Sequence, residues 1–229
     1  MDTKSNMFTV IGSSYSIICS DLKNINHTYK AGLDNRALEI GNTYLLNHVP
    51  LKDGDLIVDC GANVGDLFLY FKAMNLTIDY IGFEPSPMEF ECLRTNIPIE
   101  HNVYNLGLWN STGILKFFRM HDSSDNSFIP SGAFKDSVNI QTVRLDNFVN
   151  RRIKLFKVEA EGGEPEVLYG AENMLNKIEY ISVDAGPERG INNEMTLVPV
   201  LNYMLTNNFE LVKLSLNRVV LLFKNRSFN

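Results

Sequence analysis

Residues 56–65, Leu56-Ile-Val-Asp-Cys-Gly-Ala-Asn-Val-Gly65, decide how this chain folds. Leu56, Ile57 and Val58 form a short apolar run that ends on Asp59, the pattern of a strand buried on both faces of a parallel sheet. Gly61 and Gly65 follow in a turn, after which Leu67, Phe68, Phe71 and Met74 recur at helical spacing. A second apolar run, Ile78 to Phe83, delivers Glu84, an acid 25 residues after Asp59. Strand, glycine turn, helix and a second strand tipped by an acid make a nucleoside-binding unit. The glycines let the backbone approach the ligand, and the acid takes two ribose hydroxyls. The spacing is G-x-x-x-G rather than G-x-G-x-x-G, so no pyrophosphate cradle is written, and S-adenosylmethionine, with a ribose but no phosphate, fits better. Asp59, Gly61, Asn63, Gly65 and Glu84 are therefore the candidate cofactor residues. Asp59 is expected to hold the amino group of the methionine moiety directly or through water, and Asn63 to cap the helix or orient the ligand.

The rest of the chain extends this unit in both directions. Residues 1–50 read as a lead-in segment with a short strand near Tyr15–Ile18 and a helix from Arg36 to Val49, and residues 51–229 as one α/β domain. After Glu84, a helix opened by Pro85 and Pro87 runs to Ile97, and a third strand covers Val103 to Leu108. Asn110-Ser-Thr-Gly113 then makes a turn, and Ile114–Arg119 continues as a strand, which signals an inserted β-hairpin after the third strand. A polar loop, His121 to Gly132, leads to a strand at Val138–Leu145 and a short helix at Asp146–Asn150. Leu155–Gly163 reads as a strand ending in carboxylates, Glu164–Leu175 as a helix, Ile178–Gly186 as a strand and Met195–Asn207 as a helix. The last two strands are joined so tightly that they pair only antiparallel. The expected fold is a Rossmann-like, doubly wound, mostly parallel sheet with an antiparallel C-terminal hairpin and ligand at the strands' carboxyl ends.

Bulk composition narrows the partners. With 229 residues and 45% hydrophobic content, the chain builds one full core. The net charge of −6 comes without any basic run, so no nucleic-acid partner is expected. No run reaches the length of a membrane span, and the first residues lack the form of a signal peptide. The three cysteines, Cys19, Cys60 and Cys92, have no metal-ligand spacing and read as reduced thiols of a cytoplasmic protein. Sequons beginning at Asn26, Asn75, Asn110 and Asn225 are read as chance in an Asn-rich chain.

The second constellation is Glu159-Ala-Glu161-Gly-Gly-Glu164. On a continuing strand, Glu159 and Glu161 face one side, and Asp184 lies beside Glu159 if the two strands are neighbours. Glu164 reads first as an acid favoured at a helix N-terminus. Carboxylates so close repel unless a proton or a divalent cation such as magnesium or manganese intervenes. Glu159, Glu161 and Asp184 are thus the candidate catalytic residues, and Glu159 with Asp184 the candidate metal ligands. Lys157 is expected to snorkel or to pair with an acid.

Four segments in order now carry a resemblance: DGDLIVDCGANVGDLFLYF, IGFEPSPMEFECLRTNI, QTVRLDNF and FKVEAEGGEPEVLYGAENML, with NLGLWNSTG between them. They resemble the FkbM-type S-adenosylmethionine-dependent methyltransferases, whose motifs are D-x-GAN-x-G, F-E-P, T-x-x-L-D and K-I-D-V-E-G-A-E-x-x-V-L-x-G-A. The resemblance spans about Asp53 to Leu175. It implies a Rossmann-like fold, S-adenosylmethionine as cofactor and O-methylation of a hydroxyl on a sugar or natural product. It carries cofactor roles onto Asp59, Gly61, Asn63, Gly65 and Glu84. The chain departs from the family at Glu159, where Asp is common, and at Gly163, where Ala is usual. The expected function is O-methyl transfer to a sugar or glycan hydroxyl. Its alternatives are a non-sugar hydroxyl acceptor, a nicotinamide-dependent oxidoreductase, and a cofactor-binding module without turnover.

Overall fold

The computed structural model describes residues 7–120, 126–130, 132 and 134–228, and of Asn24 only the backbone. The described chain opens with a hairpin of β1 (Phe8–Ile11) and β2 (Ser16–Cys19), then α1 (Leu22–Thr28) and α2 (Leu33–Thr43). Alternation follows with β3 (Leu56–Cys60), α3 (Asp66–Ala73), β4 (Asp79–Phe83), α4 (Pro87–Asn96) and β5 (Asn102–Tyr104). A small sheet interrupts it with β6 (Gly107–Leu108), β7 (Gly113–Arg119) and β8 (Asp136–Val143). Next come α5 (Leu145–Phe148), β9 (Ile153–Val158), α6 (Glu164–Tyr169) and β10 (Ile178–Asp184). A short pair, β11 (Pro187–Arg189) and β12 (Glu194–Met195), precedes α7 (Leu197–Thr206), β13 (Phe209–Ser215) and β14 (Val220–Asn225).

Seven strands form the central sheet in the order β13-β14-β10-β9-β3-β4-β5. All pairs from β10 through β5 are parallel, and β14 runs antiparallel to both its neighbours. β3 and β10 are buried along their whole length, as expected for strands covered by helices on both faces. The chain winds outward from β3 to β5 and then returns to β9 on the other side of β3. The switch point therefore lies between β3 and β9, where a crevice opens at the strand tips. Apolar side chains of β3, β9 and β10 divide between the two faces of the sheet: Val58, Phe156 and Ile181 on one, Ile57, Leu155 and Tyr180 on the other. A third cluster, including Ile17, Tyr29, Leu33 and Ala37, packs the opening segment against Val64, Leu69 and Cys92.

Three local expectations are corrected. The third strand is split: β5 stays in the large sheet while β6 leaves it to pair in parallel with β8. Asn105 sits at the break, its side-chain amide donating to the carbonyls of Glu84 and Pro85. The inserted hairpin is present, but it is β7 with β8, because β8 lies between β6 and β7. The helix read as Arg36–Val49 starts earlier and ends at Thr43, where Leu45 turns left-handed (φ 61°) into a short 3-10 turn at Leu46–His48. Among the described residues no helix is long and apolar enough to cross a membrane. The three cysteines are buried free thiols, and Asn225 is buried with its amide on the carbonyls of Leu175 and Ile178.

Candidate active site

β3 and β4 end side by side, with Cys60 opposite Phe83, and this register brings Glu84 beside the turn after β3. Glu84 Oε2 accepts from the Asn63 backbone N–H at 2.7 Å and Oε1 from that of Ser86 at 2.8 Å. The two donors fix the carboxylate's orientation, and each oxygen keeps a second lone pair for a ligand. Burial pushes the Glu84 pKa up to about 8, against the pull of those donors. Around it, Asn63, Leu108, Phe117, Asn126 and Phe128 line a narrow pocket of about 70 Å³. The polar loop from His121 to Gly132 sends Asn126 and Phe128 to the Glu84 pocket, while His121 lies outside the described residues.

The glycines of the turn are also required by the protein packed against it. Gly61 is left-handed (φ +72°), and a Cβ there would stand 2.3 Å from the Glu159 carbonyl oxygen. Gly65 is also left-handed (φ +96°), and its Cβ would press on Ile97 at 3.0 Å. Both let the turn close on neighbouring protein, at Glu159 just after β9 and Ile97 just after α4, and Gly61 also lines the pocket. Asn63 between them is left-handed too (φ 48°), a conformation Asn tolerates better than most residues.

Beneath the turn runs a line of charges. Lys157 is buried, its Nζ donating to the carbonyls of Cys60 at 3.0 Å and Gly61 at 2.7 Å. The same ammonium lies 3.1 Å from Asp59 Oδ1 and 3.1 Å from Glu159 Oε2. Asp59 Oδ2 accepts from the Tyr80 hydroxyl at 2.6 Å, whereas Oδ1 has the charge of Lys157 but no directed hydrogen bond. The Asp59 side chain is wholly buried, so it supports the turn through Lys157.

Glu159 accepts from the Tyr44 hydroxyl and from Arg218, and Arg218 Nε donates to Asp184. The neighbouring strands do place Asp184 next to Glu159, as anticipated, in parallel register with Val183 opposite Val158. What neutralises the pair is Arg218 together with Lys157. Burial alone would raise the Glu159 pKa, but Lys157, Arg218 and the Tyr44 hydroxyl bring it down to about 2. A carboxylate held that low is a poor proton acceptor. Asp184 is fully buried behind Arg218, and burial raises its pKa despite that partner. Glu159 is thus poorly suited to the base role expected of it, and Asp184, wholly buried, is not among the residues lining the crevice.

The metal expectation fails the same test. The guanidinium already stands where a cation would bridge Glu159 and Asp184, so the donors do not fit a divalent ion. Among the described residues no three His, Cys, Asp or Glu side chains converge as a metal site. Nor do Glu159 and Glu161 share a strand face. β9 ends at Val158, and Glu161 (φ 47°) and Gly162 (φ 90°) turn left-handed. Both glutamates nevertheless line the crevice. Glu164 is the N-terminal group expected, accepting from the N–H groups of Ala160 and Gly162 and from the Thr196 hydroxyl. Burial raises its pKa to about 7.

A larger cleft of about 570 Å³ adjoins the Glu84 pocket and shares Gly61, Asn63, Glu159 and Glu161 with it. Its far wall comes from α1, α2 and the residues after them, including Tyr29, Arg36 and Tyr44. Tyr29 and Arg36 both bond Asp66, at 2.5 and 2.9 Å, which ties this wall to the start of α3. Three residues of the cleft escaped the sequence reading: Tyr44, Arg218 and Glu188. Tyr44 sits in a legible helix end, Arg218 in what reads as a hairpin turn, and Glu188 in a stretch without periodicity. No local pattern marks any of them.

A mostly parallel seven-stranded sheet, one reversed strand, and a switch-point crevice with an acid on the second strand tip define the S-adenosylmethionine-dependent methyltransferase fold. Residues 59–211 match the Methyltransferase FkbM domain, and the chain belongs to that family. It is 26% identical over 153 residues to Methyltransferase 1 of Beauveria bassiana, covering 54% of this chain and 61% of that protein. It is 37% identical over 60 residues to the 31-O-demethyl-FK506 methyltransferase FkbM of Streptomyces tacrolimicus, covering 26% and 23%. The crystal structure of Methyltransferase FkbM from Methylobacillus flagellatus KT superposes with a TM-score of 0.54 at 15% identity, covering 88% of this chain and 59% of that one. The chain thus spans about three fifths of the length of the Beauveria bassiana relative and of the solved structure.

Proposed function

We propose that this chain transfers a methyl group from S-adenosylmethionine to a hydroxyl of a sugar or glycan. One observation carries the cofactor part: Glu84 is a buried carboxylate, oriented by two backbone donors, with lone pairs left toward a pocket walled by Leu108, Phe117 and Phe128. Those residues suit a ribose diol and a flat base, and Asn63, Gly61 and Gly65 shape the turn beside them. The pocket is narrow for a nucleoside, so seating one requires the Phe128 or Phe117 ring to shift. Asp59 and Lys157 hold the turn in place from below.

When bound, the cofactor supplies an electrophilic methyl group on a sulfonium. The chain's own contribution is positioning, which supplies much of the acceleration in an in-line displacement. The cleft continuous with the Glu84 pocket gives the acceptor its place, with the Tyr44, Glu159 and Arg218 network as a rigid, charge-balanced floor. Glu161 lines both spaces and is proposed to meet the acceptor's hydroxyls. A second reading keeps the reaction and changes the acceptor to a non-sugar hydroxyl, favoured by the name of the Streptomyces tacrolimicus relative. Transfer of labelled methyl from S-adenosylmethionine to a panel of glycans and small alcohols tests both, and calorimetry with NAD in place of S-adenosylmethionine tests the cofactor. Binding of NAD alone would overturn the proposal.

A further inference from the structure

Glu188 enters the 570 Å³ cleft from β11 and is the side chain there with an unmet need. Its Oε2 is buried and has no hydrogen-bond partner. Of the other two such atoms among the described residues, Asp59 Oδ1 has Lys157 beside it and Tyr203 lies outside the cleft. A buried carboxylate oxygen without a donor is costly and calls for a partner that arrives from outside. The groups facing it are the carboxyls of Asp184, Glu164 and Glu159 and the guanidinium of Arg218, which is already engaged with Asp184 and Glu159.

The charges around the cleft are unequal. Eight carboxyl groups line it against four lysines and arginines. Arg36, Lys157 and Arg218 are each paired with acids, on Asp66, on Asp59 and Glu159, and on Glu159 and Asp184. A phosphate or carboxylate entering this space meets repulsion, whereas hydroxyls and ammonium groups meet acceptors.

We infer that this cleft seats the acceptor with its reacting hydroxyl on Glu188 Oε2, that Glu188 receives the hydroxyl proton, and that the acceptor is a neutral or cationic polyol. The inference rests on the methyl transfer proposed above. The acceptor oxygen forms the new O–CH3 bond as the S–CH3 bond breaks, the bonding pair stays on sulfur, and the proton passes to the Glu188 carboxylate. Methyl ether and S-adenosylhomocysteine leave, and Glu188 returns its proton to water. Burial first, then the Asp184, Glu164 and Glu159 charges, push the Glu188 pKa up to about 8, with Arg218 opposing. That makes it a far better proton acceptor near neutral pH than Glu159.

Glu188→Gln tests this, because the amide mimics the protonated carboxyl that burial favours and so preserves the fold. The measurements are S-adenosylmethionine binding by calorimetry, and initial rates from labelled cofactor on a neutral glycan, its amino-sugar analogue and its phosphorylated analogue. The variant is expected to bind cofactor as the wild type does and to lose about 10²-fold or more in kcat. Wild-type kcat should rise with pH up to about 8, and the variant should lose that rise. Phosphorylated acceptors should react more slowly than neutral ones. A variant as fast as the wild type with the same pH profile, or a preference for the phosphorylated acceptor, overturns this inference alone. A wild type that transfers methyl to no hydroxyl overturns the proposed function and this inference with it.

Discussion

Lys157 and Asp59 are opposite residues of adjacent parallel strands, both buried, with Nζ 3.1 Å from Oδ1. The pair sits directly under the turn of Gly61 to Gly65, and its ammonium also holds the turn's first carbonyls. Burial acts on both groups, raising Asp59 and opposing the charge of Lys157, while their mutual attraction favours both charges. Two partners in one dry space depend on each other.

Lys157→Met is therefore expected to destabilise the fold by about 3–5 kcal/mol, because Asp59 is left as an uncompensated buried charge. Adding Asp59→Asn should recover much of that loss, a positive coupling that a double-mutant cycle reads directly. Denaturant unfolding of the four proteins measures it. Strict additivity would show that the two groups do not interact.

Glu84→Ala should weaken S-adenosylmethionine binding at least tenfold, since each lost charge-assisted hydrogen bond is worth about 1.5–3 kcal/mol. The same substitution orphans the N–H groups of Asn63 and Ser86, so a drop in melting temperature is expected as well. Glu84→Gln keeps an acceptor for one of them and should separate the effects: smaller destabilisation, with cofactor affinity still reduced. Calorimetry showing unchanged affinity in both variants would remove Glu84 from the cofactor site.

Arg218→Ala should release Glu159 from its low pKa and leave Asp184 buried without its cation. Stability is expected to fall by about 1–3 kcal/mol, less than for a fully buried pair because the guanidinium is 44% exposed and partly screened by solvent. Arg218→Lys should recover only part, because it lacks the separate Nε and terminal N–H donors that the planar fork aims at Asp184 and Glu159. Thermal melts of the three proteins decide this, and equal stability of Lys and Arg would show that the bridge is not needed.

Stability should decline as pH rises from about 5 to about 8. Glu84, Glu164 and Glu188 stand at about 8, 7 and 8 in the fold against an ordinary 4.5, so in that interval the folded chain binds more protons than the unfolded one. The slope of unfolding free energy with pH is then negative. Glu159 acts the other way: its pKa of about 2 adds stability that is present above 4.5 and lost as pH falls toward 2. Melting temperatures across this range, without ligand, should peak near the low end of the interval. A flat or rising curve from pH 5 to 8 would contradict the burial of these acids.

Much of the architecture was legible in the sequence because it depends on local patterns. Continuous apolar runs mark β3, β4, β9 and β10, the helical recurrence after Gly65 marks α3, and the short Ser215–Asn217 link forces the last two strands antiparallel. The acid on the second strand tip was legible for the same reason: Glu84 follows a run whose length and end are plain. Where prediction and structure part, a contact from far along the chain decides. The third strand divides because Asn105 captures the carbonyls of Glu84 and Pro85, and β8, thirty residues later, pairs with its second half.

The charge arrangement of the site belongs wholly to the tertiary structure. Sequence placed Glu159 and Asp184 near one another, but which cation joins them depends on Arg218, in the turn between β13 and β14, folding back over β10. Whether Asp59 faces a ligand or the interior depends on Lys157 and Tyr80 meeting it from strands on either side. Likewise, Glu188 has a buried, unpartnered oxygen at the cleft because the fold brings it beside Asp184, Glu164 and Glu159. A residue's type and strand position follow from local propensity. Its protonation and its partners follow from burial and from charges that only the folded chain brings within a few ångströms.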